Sequence, residues 1–140
     1  MKAISIRAPW WWHIFHAGKD IENRSWPTKI RGTVLIHASG GWHWIDMLDD
    51  LEVANLLARS TGKPTTTLAP LRPYGGHLVG TVDIVGCVET RTSPWFFGRY
   101  GFQLENPVLF AEPIPFRGAQ GFFHVPDDLV RDAIAAVTRP

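Results

Sequence analysis

Lys19-Asp20-Ile21-Glu22-Asn23-Arg24-Ser25-Trp26 is the stretch on which the reading of this chain turns. Extended from Asp20 to Trp26, it places Asp20, Glu22, Arg24 and Trp26 on one face and Ile21, Asn23 and Ser25 on the other. A strand with that much charge cannot lie with both faces in a core, because an unpaired buried charge is too costly. The segment is therefore expected to line a surface or a wet cleft. Glu22 and Arg24, two apart on one face, can pair and hold each other still, and Trp26 offers a flat apolar partner. Hydrogen bonds to an edge and stacking on a face are what a heterocyclic base requires. An ordinary exposed ion pair would contribute little.

The flanks read as short elements. Ala3 to Arg7 is a strand, and Pro9 suits the first turn of a helix running from Trp10 to Ala17 and ending at Gly18. Trp11, Ile14 and Phe15 mark the buried side of that helix. Thr33 to Ser39 is a strand with Val34, Ile36 and Ala38 on one face and Thr33, Leu35, His37 and Ser39 on the other, broken by Gly40-Gly41. Residues 44 to 59 form a helix with a stripe of Trp44, Met47, Leu48, Leu51, Ala54 and Ala58, and Asp46, Asp49, Asp50 and Glu52 read as its solvated side. Residues 60 to 77 are a loop. Leu78 to Val88 is a long strand whose glycines at 80 and 86 allow bends. Tyr100 to Glu105 is a strand closed by Asn106-Pro107, with Pro113 and Pro115 in a stretched connection. Gly121 to Val125 is the last strand, and a helix follows Pro126, with Val130, Ala133, Ile134 and Val137 on one face. Short bent strands with flanking helices predict an α+β fold, a small barrel with helices at its ends.

Composition narrows the functions. The 140 residues suit one domain, and 45% hydrophobic with 19% charged residues describes a folded chain. A formal net charge of +1 leaves only a local patch to meet nucleic acid, which favours a single unpaired base or a free nucleoside over tight duplex binding. Cys87 is the single cysteine, which excludes an internal disulfide and reads as a small buried hydrophobe. No familiar metal-ligand set stands out among the scattered histidines, so no metal and no cofactor are expected. The start carries no apolar leader, and no stretch approaches a membrane span, so a cytoplasmic location is expected.

Lys-x-x-Glu-Asn-Arg-Ser-Trp over residues 19–26 carries a family resemblance. It is preceded by Ile4-Ser5-Ile6-Arg7-Ala8-Pro9-Trp10 and followed by Arg31-Gly32-Thr33-Val34-Leu35-Ile36-His37-Ala38-Ser39. With Gly80-Thr81-Val82-Asp83-Ile84-Val85, Ser93-Pro94-Trp95-Phe96 and Arg117-Gly118-Ala119-Gln120-Gly121-Phe122-Phe123, the chain resembles the ASCH domain, a member of the PUA-like superfamily of small β-barrels. The resemblance implies one ASCH domain over residues 1–140 that binds RNA, or a nucleoside or nucleotide, in a polar cleft. Two other readings stay open: a hydrolase in that cleft, either an N4-acetylcytidine-type amidohydrolase or a ribonuclease, and a protein-interaction or coregulator module.

Amidohydrolases of the family are similar in carrying Lys-x-x-Thr, with the lysine as base, the threonine as nucleophile and a distant glutamate as proton donor. Lys19 matches the first position, whereas Glu22 occupies the threonine's. A carboxylate cannot stand in for the hydroxyl, but it can orient a water as general base. Lys19 and Glu22 are therefore the catalytic candidates, and any catalysis is expected to be metal-independent. Asp83, Glu89, Glu105 and Glu112 are the acids available in the second half. Arg7, Pro9, Trp10, Asn23, Arg24, Trp26, His37, Ser39, Trp95 and Gln120 are the candidate ligand-binding residues. Trp10 and Trp26 are the stacking candidates among them. Trp11, Trp12, Trp42 and Trp44 read as packing, and Trp95-Phe96-Phe97, in a turn after Ser93-Pro94, reads as a lid or stacking element if exposed and as a plug of the barrel if buried.

Overall fold

A computed structural model describes residues 1–40, 44–90 and 92–138, with the backbone alone at 44, 45 and 138. The readings of Gly41, Trp42 and the Trp44 side chain lie outside the described residues. The strands are β1 (Lys2–Ile6), β2 (Ile21–Arg24), β3 (Gly32–Ala38), β4 (His77–Val88), β5 (Tyr100–Pro115) and β6 (Phe122–His124). The helices are α1 (Trp10–His16), α2 (Trp44–Ser60) and α3 (Asp127–Thr138). The six strands form one sheet in the order β2-β5-β4-β3-β1-β6, curled into a half-barrel and flanked by the three helices. Among the described residues only the β1–β3 pairing is parallel.

Alternation along the strands divides the apolar residues between two cores. Ile4 and Ile6 of β1 and Val34, Ile36 and Ala38 of β3 point into the curl, where Trp11, Ile14, Met47, Ala54, Ala58, Phe102 and Leu104 meet them. Ala3 and Leu35 point the other way, onto a smaller core with Leu78, Phe110 and Val130 that α3 covers with Ala133, Ile134 and Val137. The two sides of β3 are those read from its sequence. On α1 the buried residues are Trp10, Trp11, His13 and Ile14, while Phe15 is only partly buried. On α2, Leu48 of the expected stripe is half exposed.

The strand expected to close at Asn106-Pro107 instead runs on as β5 to Pro115, paired with β4 from His77↔Pro115 to Val88↔Gly101. Asn106 takes a left-handed φ of 53°, a conformation that asparagine tolerates better than most residues, so the chain bends without stopping. Register shifts between Leu78/Gly80, Thr81/Asp83 and Ile84/Gly86 absorb the bend. At Gly80 the partner backbone comes so close that a Cβ would lie 2.2 Å from the Val108 carbonyl oxygen, so only glycine fits there. The span expected to be a loop holds a 3-10 turn, Ala69–Tyr74, anchored by the buried Leu71. Asn55 of α2 ties it further, accepting from the Thr66 amide at 3.0 Å and donating to the Thr66 carbonyl at 2.8 Å.

Candidate functional site

β2 sits at the sheet edge and alternates as its sequence requires. Ile21 enters the core, and Glu22 and Arg24 face a cavity of about 530 Å³ at the edge of the curl. Asn23 turns toward the 93–97 segment, donating to the Trp95 carbonyl at 2.9 Å and accepting from the Phe97 amide at 3.0 Å. Lys19 reaches the same cavity by a different route. Gly18, at φ 71°, turns the chain back after α1, and the Lys19 amide caps the His13 carbonyl at 3.1 Å. The lysine side chain is thereby folded under the helix, with the residue only 3% exposed.

Three charges meet at this point. Lys19 Nζ lies 3.5 Å from Glu22 Oε1 and donates to the Ile21 carbonyl. Arg24 brackets the other carboxylate oxygen, with Nε at 3.0 Å and a terminal nitrogen at 2.9 Å from Oε2. The same guanidinium donates to the Ser5 carbonyl at 2.7 Å. β1 and β2 are not hydrogen-bonded neighbours, so this contact is made by the curl of the sheet. Burial pushes the Lys19 ammonium below the usual lysine range; the nearby Glu22 carboxylate opposes the shift, and Arg24 adds to it. At the cavity's mouth Arg7 pairs with Asp50 of α2 at 2.7 Å.

Of the residues singled out from sequence, Arg7, Trp10, Lys19, Glu22, Asn23, Arg24 and Ser39 line the cavity. Pro9, Trp26, His37, Trp95 and Gln120 stand elsewhere. Pro9 is buried ahead of α1, its carbonyl hydrogen-bonded to His13 Nδ1 at 2.9 Å. Trp26 lies past the end of β2 and packs edge-on to Phe102 and Phe122 at 5.2 and 5.8 Å, with the Arg24 guanidinium 5.8 Å from its ring. Asp20, expected on the Glu22 face, instead accepts a hydrogen bond from Ser93 at 2.5 Å. Trp95 is 2% exposed and belongs to the main core, so it plugs the barrel end. Gln120 is exposed. None of Asp83, Glu89, Glu105 and Glu112 lines the cavity. The cavity's second carboxylate is Asp50, which the sequence placed on a solvated helix face. Val53 and Phe97 complete the apolar rim. The spacing of Asp50 and Val53, three apart on one helix side, was the available signal for α2's part.

His37 is buried on the other face of β3. Its Nε2–H donates to the Phe116 carbonyl at 2.6 Å, and its Nδ1 accepts from the Ser5 hydroxyl at 2.9 Å. Burial lowers the affinity of His37 and of the fully buried His13 for a proton, against the hydrogen bonds that oppose the shift. The unfolded chain takes up protons near 6.5, where the folded chain resists them, so stability is held above that pH and lost as pH falls below it. Urea unfolding between pH 7.5 and 5 is expected to show a loss of up to about 1.4 kcal/mol per pH unit for each such histidine. His37→Gln should flatten this slope. A wild-type stability that is level across the window contradicts the assignment.

Among the described residues no cluster of three or more His, Cys, Asp or Glu is placed to hold a metal ion. Among the described residues no helix is long and apolar enough to cross a membrane. The fold and site together define a small α+β half-barrel with a buried lysine–carboxylate–arginine array at its edge. The chain belongs to the ASCH domain family, whose match covers residues 4–106 and so includes every residue lining the cavity. The ASCH domain is a PUA-like domain, a class that generally binds RNA. No curated protein matches the chain.

Proposed function

We propose that the cavity binds an unpaired RNA base or a modified nucleoside. The observation that carries this reading is the preformed Lys19–Glu22–Arg24 array in an open cavity of about 530 Å³. Such an array offers a carboxylate acceptor beside cationic donors, already fixed in place, under an apolar rim. That combination suits a flat ring with a polar edge. Incubation with a panel of modified nucleosides and short single-stranded RNAs, followed by mass spectrometry, tests it. Binding of at least one member, weakened in Arg24→Ala, supports the reading; no binding across the panel defeats it.

Hydrolysis of an acylated nucleoside in the same cavity is a second reading, favoured by the 3.5 Å approach of Lys19 Nζ to Glu22 Oε1. Position 22 supplies no hydroxyl, so water is the nucleophile and the carboxylate takes its proton. Lys19, with its Nζ 3.5 Å from that carboxylate, is placed to polarise the carbonyl or protonate the leaving amine. Lys19→Ala and Glu22→Gln are each expected to lower turnover by about a hundredfold or more. Because the pair acts as a unit, the double variant should be little worse than either single one. Wild-type binding without any product removes the hydrolase reading and leaves the binding one.

A further inference from the structure

Among the described residues two aromatics line the cavity, and they are presented very differently. Trp10 is 8% exposed, with the Lys19 ammonium 5.7 Å from its ring centre and Phe97 set edge-on at 5.9 Å. Little of its surface is left for a ligand. Phe97 is 47% exposed, and the ring lines the cavity from a well-anchored turn. The anchoring is dense. Asn23 grips the turn at two points, the Trp95 carbonyl and the Phe97 amide. Ser93 donates to Asp20 at 2.5 Å and accepts from the Trp95 amide at 3.2 Å. Trp95 is sunk in the core between these ties. Folding requires the burial of Trp95; it does not require a phenylalanine two residues later to face the cavity.

We propose that Phe97 is the platform on which the ligand's ring stacks, and that Asn23 is the positioning residue that fixes it. This rests on the binding reading above and deepens it. The cavity then divides its work: Glu22 and the two cations read the polar edge of the ring, and Phe97 covers its face. A rigid platform stacks at little entropic cost, because the turn is already ordered before the ligand arrives. The class of ligand follows. It has a planar π-face with a hydrogen-bonding edge, as a nucleobase has, and an aliphatic amide of the same polarity lacks the face.

The test uses a nucleoside or short RNA that the wild-type chain binds in the panel, with Phe97→Ala, Phe97→Leu and Phe97→Trp. Stacking on the scale seen for single bases predicts about ten- to a hundredfold weaker binding in Phe97→Ala. Phe97→Trp should keep wild-type affinity. Phe97→Leu, which retains apolar bulk, should still lose affinity, and it should abolish the upfield ring-current shift of the bound base protons in NMR. Because the ring is half exposed, thermal unfolding of all three should stay close to wild type. A folded Phe97→Ala with undiminished affinity overturns the platform while leaving the binding site standing. A wild-type chain that binds nothing in the panel removes both. Asn23→Ala should weaken the same ligand, whereas a variant with wild-type affinity shows that the turn needs no such grip.

Discussion

Glu22→Ala is expected to destabilise the fold by roughly 3–5 kcal/mol, the scale at which a buried ion pair suffers when one partner is removed. The carboxylate faces Lys19 on one oxygen and Arg24 on the other, so its loss strands two cations. Lys19 is the more costly of the two, because it is enclosed and keeps no carboxylate contact, only the Ile21 carbonyl and the face of Trp10. Set against a total of about 5–15 kcal/mol for a domain of this kind, the loss is severe. Lys19→Met should cost less, because Glu22 keeps its contacts with Arg24 and one buried charge disappears. The proton equilibrium points the same way. A lysine whose folded pKa is lowered binds fewer protons folded than unfolded, so wild-type stability should rise as pH climbs toward 10.5. Lys19→Met should lack that rise. Urea denaturation of the three proteins settles the order, and a Lys19→Met less stable than Glu22→Ala would overturn this account of the array.

Trp95→Ala is expected to cost a comparable 3–5 kcal/mol, for a different reason. It empties a large volume from the main core, where Trp95 lies beside the His13 ring at 5.8 Å. Trp95→Phe should be much milder, since most of the ring volume remains. The alanine variant should also weaken ligand binding, because the turn that presents Phe97 loses its anchor. Thermal melts combined with affinity measurements check both effects. A Trp95→Ala that melts like wild type would show that the ring is not part of the core.

Much of this was legible before any coordinates. Period-two alternation sorted both sides of β3 and set Glu22 and Arg24 together, because the pleat leaves no other choice for a strand with one apolar face. Gly18 and Pro9 bounded α1 through backbone chemistry alone. What failed were long-range facts. Asn106-Pro107 reads as a stop in isolation, yet the pairing with β4 carries the strand through it. The neighbours of Trp26 were equally out of sight, since the curl brings the distant Phe102 and Phe122 edge-on to its half-buried ring. Asp50 read as one more charge on a wet helix, and only the packing of α2 across the cavity mouth gives it Arg7 as a partner. Phe97 was one of three adjacent aromatics, and nothing local decides which ring sinks and which stays out.

The bend at Asn106 has a consequence for how the molecule comes apart. One strand supplies Phe102 and Leu104 to the inside of the curl and Phe110 to the outside, where α3 packs on it. Tearing β5 from β4 therefore opens both apolar clusters at once, and neither can survive as a separate island. The two are expected to act as one cooperative unit, with the amides of the β4–β5 ladder the last to exchange with solvent.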